Sequence, residues 1–395
     1  MVTFADFGLK QELLRALDDL GFSEPTAIQE QAVPLVLAGE DVIGMSYTGS
    51  GKTAAFGVPL LHNVEDGYGL QVLILSPTRE LAVQIAGELE KFGKYIVCNV
   101  ATVYGGVAYE PQLRAMKEAH VLVATPGRLL DHLRQGNVDL SGIFSTVLDE
   151  ADKMVEMGFI EDVEDILSYT PEDRQLLLFG ATLAGEIERI KEQYMFEPKV
   201  AKATLHVDDD LLRQYYYNVR PHEKFSLLLH LLRKERTDQV MVFCSTRSTV
   251  ELVSDNLSLQ GVENVIIHGK MAQNSRLRAI SRFNRGEVKV LVASAVAARG
   301  LDIKDVSHVF NYDVSQDPQE YVHRIGRTAR AGESGKAITL LAPQDHDAFS
   351  LVFRNYGISP EELPCERFRR VPFRTGAARK NGSARRPRRR PTPRR

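Results

Sequence analysis

The stretch that determines the fold of this chain is Ser46-Tyr47-Thr48-Gly49-Ser50-Gly51-Lys52-Thr53. A short apolar run, Asp41–Met45, precedes it, and a helix-prone run from Ala54 follows it. A strand, a glycine-rich turn and a helix form the context in which Gly-Lys-Thr binds the phosphates of a nucleotide. Glycines let consecutive backbone N–H groups turn toward phosphate oxygens, and the helix N-terminus adds positive partial charge. The alternative is a glycine-rich turn without function.

Two side chains of this turn have expected roles. Lys52 would reach the β- and γ-phosphates, and the Thr53 hydroxyl would bind Mg²⁺. The full phosphate-loop pattern has a glycine where this chain has Ser46. The other loop residues that we expect to contact the nucleotide are Ser46, Thr48, Gly49, Ser50 and Gly51.

Composition places the chain among soluble globular proteins, because 44% of its residues are hydrophobic and 26% are charged. Its 395 residues are enough for two to three domains. It has no apolar run near the roughly 18 residues of a membrane span, and its first residues lack the features of a secretory signal. Three cysteines without ligand spacing indicate ordinary thiols in a reducing compartment. We therefore predict a cytoplasmic protein without membrane contact.

The net charge of −3 hides a strong asymmetry along the chain. From Arg367 to the end there are 12 Arg residues and Lys380, without Asp or Glu. Subtracting these 13 from the 49 basic residues leaves 36 against 52 acidic residues, a net charge of −16 for residues 1–366. Arginine-rich tails of this kind are most often disordered arms that bind nucleic acid. A tail for solubility or targeting is the alternative.

The first 200 residues alternate apolar strand-like runs with helical stretches, which favours an α/β domain with a parallel sheet covered on both faces. Ligands of such sheets bind beyond the carboxyl ends of the strands. The helical stretches include 79–92 and 112–118. The predicted strands are Val42–Ser46, Val72–Ser76, Val100–Tyr104, Val121–Ala124, Thr146–Asp149 and Leu176–Phe179.

Around Glu197–Asp210 the pattern lapses, and we interpret this segment as an interdomain linker. A second α/β series follows, with helical character at 247–260 and 276–283. We predict domains at 1–204 and 205–366 and a disordered basic tail at 367–395. The strands predicted for the second domain are Val240–Cys244, Val265–His268, Val288–Ala293, His308–Tyr312 and Ala337–Leu341.

Two charged motifs complete the residues that indicate chemistry. Val147-Leu148-Asp149-Glu150-Ala151-Asp152 ends a buried strand with carboxylates, of which Asp149 can hold Mg²⁺ and Glu150 can orient the attacking water. An exposed acidic loop is the alternative. In the second domain, His323–Arg330 carries arginines three apart, which suit the stabilisation of charge on a transferring γ-phosphoryl group. Together they suggest a composite site that assembles when the two domains close.

With these motifs in order, residues 4–330 resemble the DEAD-box RNA helicase family. Phe4 stands seventeen positions before Gly21–Gln29, which matches the family's adenine-reading element. Further matches are 77–82, Gly105-Gly106, 125–128, 243–247, 273–276 and 296–302. The resemblance implies two tandem RecA-like domains of α/β class, ATP and Mg²⁺ as ligands, RNA as partner and a monomeric core.

The resemblance also implies roles for individual residues. Phe4 would stack on adenine, Gln29 would read its edge, and Asp302 would contact the ribose, with Thr26 beside them. The catalytic residues would be Lys52, Asp149, Glu150, Arg327 and Arg330. The RNA backbone would be bound by Pro77, Thr78, Arg79, Gly105, Gly106, Thr125, Gly127, Arg128, Gln273, Arg276 and Ser294. Nucleotide state would be coupled to closure through Asp152, Gly180, Ala181, Thr182 and His323.

Three departures from the family pattern affect the expected activity. Gly180 replaces the usual serine after the catalytic strand, Ser294-Ala295 replaces Thr-Asp, and Ala329 replaces a glycine. None removes an expected phosphate ligand, metal ligand or arginine finger, so we expect ATP hydrolysis to be intact. Two hypotheses remain, a helicase that separates RNA strands and an ATP-dependent RNA clamp or annealing protein that unwinds weakly. A DNA-directed helicase is disfavoured by the resemblance.

Overall fold

A computed structural model describes most of the chain. The described residues are 2–46, 50–180, 185–203, 212–235, 237–294, 298, 303, 306–315, 317–328, 334–356 and 359–375. They form two α/β lobes, each with its own sheet; the first lobe comprises residues 2–203 and the second comprises residues 212–375.

The first lobe is built around a parallel sheet whose strands stand in the order β3-β4-β2-β5-β6-β1-β7 in the described part of the chain. A 3-10 helix at Phe4–Phe7 precedes its other elements. These are α1 (Gln11–Asp19), α2 (Ala27–Leu37), β1 (Val42–Met45), α3 (Lys52–Asn63), β2 (Val72–Leu75), α4 (Arg79–Phe92), β3 (Val100–Val103), α5 (Tyr109–Lys117), β4 (Val121–Ala124), α6 (Pro126–Arg134), β5 (Ser145–Asp149), α7 (Ala151–Glu156), α8 (Ile160–Leu167), β6 (Gln175–Gly180), α9 (Glu186–Tyr194) and β7 (Lys199–Lys202).

The second lobe repeats the same topology, because its sheet order β10-β11-β9-β12-β13-β8-β14 is that of the first sheet in the described residues. Short 3-10 helices lie at Pro221–Glu223 and Pro343–Asp345. Its other elements are β8 (Leu212–Asn218), α10 (Lys224–Lys234), β9 (Val240–Cys244), α11 (Arg247–Leu259), β10 (Asn264–Ile267), α12 (Gln273–Asn284), β11 (Val290–Ser294), β12 (His308–Asn311), α13 (Pro318–Ile325), β13 (Gly335–Leu341), α14 (His346–Tyr356) and β14 (Glu361–Glu362).

Both faces of each sheet are buried, as continuous apolar strands predict. In β2, Val72 and Ile74 pack into one core and Leu73 and Leu75 into the other. Successive strand side chains point to opposite faces, so one strand contributes to two hydrophobic layers. The second lobe follows the same rule, with alternate residues of β9 in separate cores. The predicted pair of tandem parallel-sheet domains is therefore confirmed.

Two segments differ from the sequence-based boundaries. Within the predicted linker Glu197–Asp210, Lys199–Lys202 forms β7 and pairs in parallel with β1. It was missed because only Ala201 of this edge strand is buried, so the segment has no apolar run. Residues 367–375, assigned to a disordered tail, instead pack on the second lobe, where Phe368, Val371 and Phe373 contact its core. Residues 376–395 lie outside the described residues.

The carboxyl ends of the first sheet divide the predicted motifs into two groups. Strands β1, β5 and β6 end at the phosphate loop, Asp149 and Gly180, whereas β2, β3 and β4 end at the motifs expected to bind RNA. The two sets of three strands are adjacent in the sheet, so the two groups of motifs lie side by side.

Within the described ranges, no helix has the length and apolarity needed to cross a bilayer.

Candidate nucleotide and nucleic-acid site

The described part of the phosphate loop is held by its own polar groups. Gly51, the N-cap residue directly before α3, adopts a left-handed conformation with φ 89°. Lys52 Nζ donates to the carbonyl oxygen of Ser46 at 3.0 Å, and the hydroxyl oxygens of Ser46 and Ser50 lie 2.7 Å apart. Thr53 follows on the first turn of the helix. The described residues Ser50 and Gly51 thus lie directly before a helix N-terminus, the position that favours phosphate.

The predicted adenine-reading element is joined directly to this loop. Gln29 is 1% exposed; its Oε1 accepts from the backbone N–H of Thr26 at 2.9 Å, and its Nε2 donates to the carbonyl of Gly51 at 3.1 Å. The Thr26 hydroxyl donates to the carbonyl of Ser50 at 2.8 Å. A Cβ at Gly51 would overlap Gln29 Nε2. A primary amide retains a second N–H and a second lone pair for a base, so a contact to adenine stays a prediction.

Phe4 lies in an aromatic cluster rather than on an open surface. Its ring is 4% exposed and meets Phe7 and Phe22 at centroid distances of 5.9 Å and 6.0 Å, both edge-on. The predicted stack on adenine therefore has little exposed ring area available in this structure. Burial of the ring explains why the residue is aromatic whether or not a base reaches it.

The carboxylates predicted to be catalytic, Asp149 and Glu150, lie at the end of β5 and directly after it. Asp149 is 3% exposed, and its Oδ1 accepts from the backbone N–H of Glu150 at 3.0 Å. Glu150 has left-handed backbone angles, φ 52° and ψ 47°, which are uncommon for a residue with a side chain. Its Oε2 lies 2.7 Å from Lys153 Nζ, and both side chains are buried. Backbone strain of this size at a residue other than glycine is found most often at functional sites.

The two carboxylates have opposite pKa shifts. Burial raises the pKa of Asp149 to about 7, although the charge of Lys52 opposes that rise. Burial would also raise the pKa of Glu150, but the charges of Lys153 and Lys52 outweigh it and hold that pKa below its ordinary value. Glu150 is therefore ionised at neutral pH, as an acceptor of a proton from water must be. A nearby cation would stabilise the charged form of Asp149 and lower its pKa.

These residues fit a magnesium ion that is shared with a nucleotide. Among the described residues, no group of three or more His, Cys, Asp or Glu side chains could hold a metal. Mg²⁺ does not require one, since it commonly binds through one or two carboxylates together with waters and substrate phosphates. The buried Asp149 carboxylate, whose charge is destabilised without a cation, and the Thr53 hydroxyl match that donor set.

Two side chains of the second lobe interact electrostatically with Glu150 and its partner Lys153. His323, on α13, is close enough to lower the pKa of Glu150 further. Lys153 has its pKa lowered mainly by burial, and the charge of Arg327 lowers it further. Arg327 itself is 4% exposed. Side chains of the second lobe therefore lie within electrostatic range of Glu150 and Lys153 in the first lobe.

Arg324, which belongs to the motif His323–Arg330, has contacts that stabilise the second lobe. It is 2% exposed, donates to the carbonyl of Asp313 at 2.6 Å, pairs with Glu320 and lies 5.5 Å above the ring of Phe243. These contacts all lie within the second lobe. Arg324 therefore contacts groups of its own lobe, whereas Arg327 interacts electrostatically with Lys153 of the first lobe.

The first RNA-side cluster follows β2 and β3. Thr78 caps α4 by accepting from the backbone N–H of Leu81 at 3.3 Å. Arg79, the first residue of that helix, extends its guanidinium under Gly105 and Gly106. A Cβ at Gly106, whose φ is +84°, would overlap Arg79 Nη1. Backbone conformation and the close approach of Arg79 therefore both account for glycine at position 106, whereas a Cβ at Gly105 would lie 3.7 Å from Arg79 Nη2, an ordinary contact distance.

The second RNA-side cluster follows β4 at the start of α6. Thr125 precedes Pro126, which occupies the first helical position, where its missing N–H costs nothing. Gly127 follows, and Arg128 Nη1 donates to the carbonyl of Val107 at 3.2 Å. In the second lobe, Ser294 ends β11 beside Cys244 of β9, and Gln273 opens α12.

One contact joins the RNA-side groups of the two lobes. Arg276 Nη1, on α12, lies 3.1 Å from Glu80 Oε1, on α4, and their side chains are 15% and 6% exposed. Burial lowers the pKa of Arg276, and the Glu80 charge opposes that shift. The lobes therefore meet beside the residues predicted to bind RNA as well as near Glu150. Arg276 was predicted, but Glu80 was not singled out.

The predicted coupling residues are only partly described. Gly180 ends β6, and its carbonyl accepts from the backbone N–H of Ser46 at 3.2 Å, which links that strand end to the phosphate loop. Asp152 is 7% exposed on α7. Predicted site residues outside the described residues are Thr48, Gly49, Ala181, Thr182, Asp302 and Arg330.

Two residues that contact predicted site residues, Lys153 and Glu80, were not predicted from the sequence; Lys153 pairs with Glu150. It stands three positions after Glu150, a spacing that brings side chains together on a helix. That spacing is the signal that could have identified it. Glu80 had no comparable local signal, because its partner lies in the other lobe.

Comparisons with known proteins agree with this geometry. The family model described as DEAD/DEAH box helicase matches residues 26–190, and the helicase conserved C-terminal domain matches residues 223–332. The DEAD-box ATP-dependent RNA helicase CshA of Geobacillus kaustophilus is 45% identical over 87% of this chain and 74% of its own length. CshA of Bacillus subtilis is 44% identical over 87% of this chain and 70% of its own length.

A solved structure extends the likeness to both lobes together. S. cerevisiae Dbp5 bound to RNA and ADP BeF3 is 31% identical, and the match covers 92% of this chain and 95% of that one with a TM-score of 0.84. A score of that size over both lobes means that their relative arrangement is similar in the two proteins.

Proposed function

The chain belongs to the DEAD/DEAH box helicase family, and on that premise we propose that it is an RNA-stimulated ATPase that separates short RNA duplexes locally or remodels complexes of RNA and protein. The observation that carries this proposal is the proximity of His323 and Arg327, in the second lobe, to Glu150 and Lys153, in the first. A site divided between lobes is active only when the lobes approach each other.

ATP would bind to the first lobe, with its phosphates at the loop that Lys52 and Thr53 complete. Phe4, Thr26 and Gln29 would lie at the base, and Asp302 would lie at the ribose. A water would attack the γ-phosphorus in line with the bond to the β–γ bridging oxygen. That bond breaks, its electron pair leaves with ADP, and the proton of the water passes to the ionised Glu150. Arg327 and Arg330 would stabilise the charge on the transferring group.

Asp149 and the Thr53 hydroxyl would hold Mg²⁺, which when bound neutralises phosphate charge. Their donor chemistry supports this assignment, because hard oxygen ligands suit that cation. We further propose a monomeric core and a cytoplasmic location, the latter supported by the three cysteines, which are free in the structure.

RNA would bind across both lobes through the groups that follow β2, β3 and β4 and through Gln273, Arg276 and Ser294. Hydroxyl, backbone N–H and guanidinium groups suit phosphate and 2′-OH contacts, so we expect little sequence preference. The contact between Glu80 and Arg276 supports a link between RNA binding and closure. The similar Dbp5 structure is bound to RNA and ADP BeF3, which agrees with ligands of both kinds on this fold.

The test is a strand-displacement assay on a short RNA duplex, run beside phosphate release in the same solution. We expect ATP-dependent release of the labelled strand and RNA-stimulated phosphate release. Glu150→Gln should bind ATP but lose about 10²- to 10⁴-fold in turnover, because general-base catalysis contributes that much. Glu161→Gln, an exposed residue of α8, is the matched control and should behave as wild type.

Three outcomes would contradict the proposal. Phosphate release with RNA but without strand separation would favour the clamp or annealing hypothesis. Equal stimulation by single-stranded DNA would favour a DNA-directed enzyme. Unchanged turnover in Glu150→Gln would reject the assignment of the base.

A further inference from the structure

A three-membered stack on the first lobe holds one of the arginines expected to bind RNA. The Tyr109 ring, at the start of α5, has the Arg128 guanidinium carbon 4.2 Å from its centroid. The His132 ring lies 4.9 Å from the same centroid at an angle of 58°. Arg128 and His132 stand four positions apart on α6, so they lie on one face of that helix. Tyr109 therefore touches both.

Two hydrogen bonds fix the members of this stack. Tyr109 Oη donates to Asp131 Oδ2 at 3.2 Å, which joins the ring to α6. Arg128 Nη1 donates to the carbonyl of Val107 at 3.2 Å, which joins the guanidinium to the segment before α5. A guanidinium has five N–H donors, so one bond to Val107 leaves most of them for a ligand. The ring and the carbonyl restrain the group while its remaining edge is available.

His132 is the fully buried member of the stack. It is 0% exposed, its Nδ1 lies 3.3 Å from Asn137 Nδ2, and its Nε2 has no hydrogen-bond partner among the described residues. Burial, and then the charge of Arg128, lower the pKa of His132, so the imidazole is neutral at physiological pH. The stack thus carries one positive charge, that of Arg128.

We propose that Tyr109 is a positioning residue for RNA binding, whose ring holds the Arg128 guanidinium in the orientation that meets the RNA backbone. This inference rests on the proposed function, because it takes Arg128 as an RNA contact. Arginine has a long side chain with large rotamer entropy, and a group that is already ordered loses less of it on binding. The attraction of a cation to an aromatic face supplies the ordering.

Measurement of RNA affinity in a double-mutant cycle tests the proposal. The full chain, with a non-hydrolysable ATP analogue, is titrated into a labelled single-stranded oligouridylate. Tyr109→Leu should weaken the Kd by about three- to tenfold, since lost stacking and lost ordering both contribute. Tyr109→Phe keeps the ring and should retain most of the affinity. In the Arg128→Ala background, Tyr109→Leu should have no further effect, because coupled residues are not additive.

A second readout separates positioning from a general structural role. In steady-state ATPase assays, Tyr109→Leu should raise the RNA concentration for half-maximal stimulation and leave kcat at saturating RNA and the KM for ATP unchanged. The matched control is Tyr68→Leu, since Tyr68 is 72% exposed and precedes β2, at the amino ends of the strands. Both variants should keep the wild-type melting temperature.

The outcomes distinguish the two levels of the inference. If Arg128→Ala weakens RNA binding but Tyr109→Leu does not, or if Tyr109→Leu has its full effect without Arg128, the positioning role is rejected and the RNA site stands. If Arg128→Ala leaves RNA affinity unchanged, Arg128 is not an RNA contact, and the positioning role is rejected with that part of the proposed function.

Discussion

At the scale of single residues, Gly106 gives the sharpest link between sequence and site. Its positive φ and the Arg79 guanidinium beneath it leave no room for a Cβ. Gly106→Ala should displace Arg79 and weaken RNA binding by about tenfold, the effect of losing a charge-assisted contact worth about 1.4 kcal/mol. ATP binding should not change, because the phosphate loop follows β1, whereas Gly106 follows β3.

Gly67→Ala is the matched control for this variant. Its φ of +86° imposes the same backbone strain, but nothing lies within 4 Å of the added Cβ. Both variants should lose about 1–2 kcal/mol of stability, measured by urea unfolding, and Gly106→Ala alone should lose RNA affinity. Equal RNA affinity in the two variants would mean that Arg79 is not held for RNA.

The same scale shows how far side-chain roles could be predicted from sequence. The family resemblance implied that Gln29 reads adenine, and the structure places this side chain beside the described part of the phosphate loop. Its hydrogen bonds to Thr26 and Gly51 were not predictable, since they depend on how α2 packs against the loop. Tyr109 carried no local signal at all, because its contacts come from a helix that lies 17 or more residues away in sequence.

At the scale of elements, the C-terminal segment 359–375 is an integral part of the second lobe. Its β14 pairs with β8 as β7 pairs with β1, which gives both sheets the same order. Asn256 exchanges two hydrogen bonds with the backbone of Arg374, at 2.8 Å and 3.0 Å. Phe373 meets Phe225 at a centroid distance of 5.2 Å. Composition suggested a tail here because arginines alternate with these aromatic residues.

Two truncations separate packing from charge. Removal of 376–395 should leave the melting temperature unchanged and flatten the salt dependence of RNA affinity, because eight Arg residues and Lys380 are lost. Removal of 359–395 should in addition lower the melting temperature by several degrees, since it uncovers the core beside Phe225 and leaves Asn256 and Ser226 without their partners in this segment.

Thermal unfolding and RNA titrations at several salt concentrations measure the two effects. A lower melting temperature in the shorter truncation would place residues 376–395 in the folded core. An unchanged salt slope would exclude them as an RNA arm.

At the scale of the whole molecule, the two lobes meet on both sides of the site. On the RNA side, the contact is the ion pair between Glu80 and Arg276, both largely buried. Removing one partner of such a pair leaves a buried charge without compensation, which is strongly destabilising. Because this pair joins the two lobes, its loss should destabilise the arrangement in which the lobes are in contact.

Glu80→Ala should therefore raise the RNA concentration needed for half-maximal ATPase stimulation by at least about tenfold. Affinity of the first lobe for ATP in the absence of RNA should be unchanged. Glu90→Ala, an exposed residue of the same helix, should match wild type. Stimulation that is equal in both variants would show that this contact does not contribute to closure.

The two-lobe organisation itself was predictable, because apolar strands alternating with helices indicate a covered parallel sheet. The approach of the motif His323–Arg330 to Asp149 and Glu150 was predicted from the chemistry of the two motifs and from the family resemblance, whereas the contact of Lys153 with Glu150 was not predicted. Sequence pattern specifies each lobe through local periodicity, whereas contacts between lobes join residues about 170 to 200 positions apart. Physical proximity at that separation is decided by tertiary structure.

The steady-state rate of ATP hydrolysis at saturating single-stranded RNA, compared between wild type and Arg327→Ala, tests the composite site most directly. We predict that RNA stimulates the wild-type enzyme and that the variant loses about 10³-fold or more of the stimulated rate while still binding ATP, as removal of an arginine finger requires. A wild-type rate that is indifferent to RNA, or a folded Arg327→Ala variant that is stimulated as wild type is, would contradict a site completed by the second lobe.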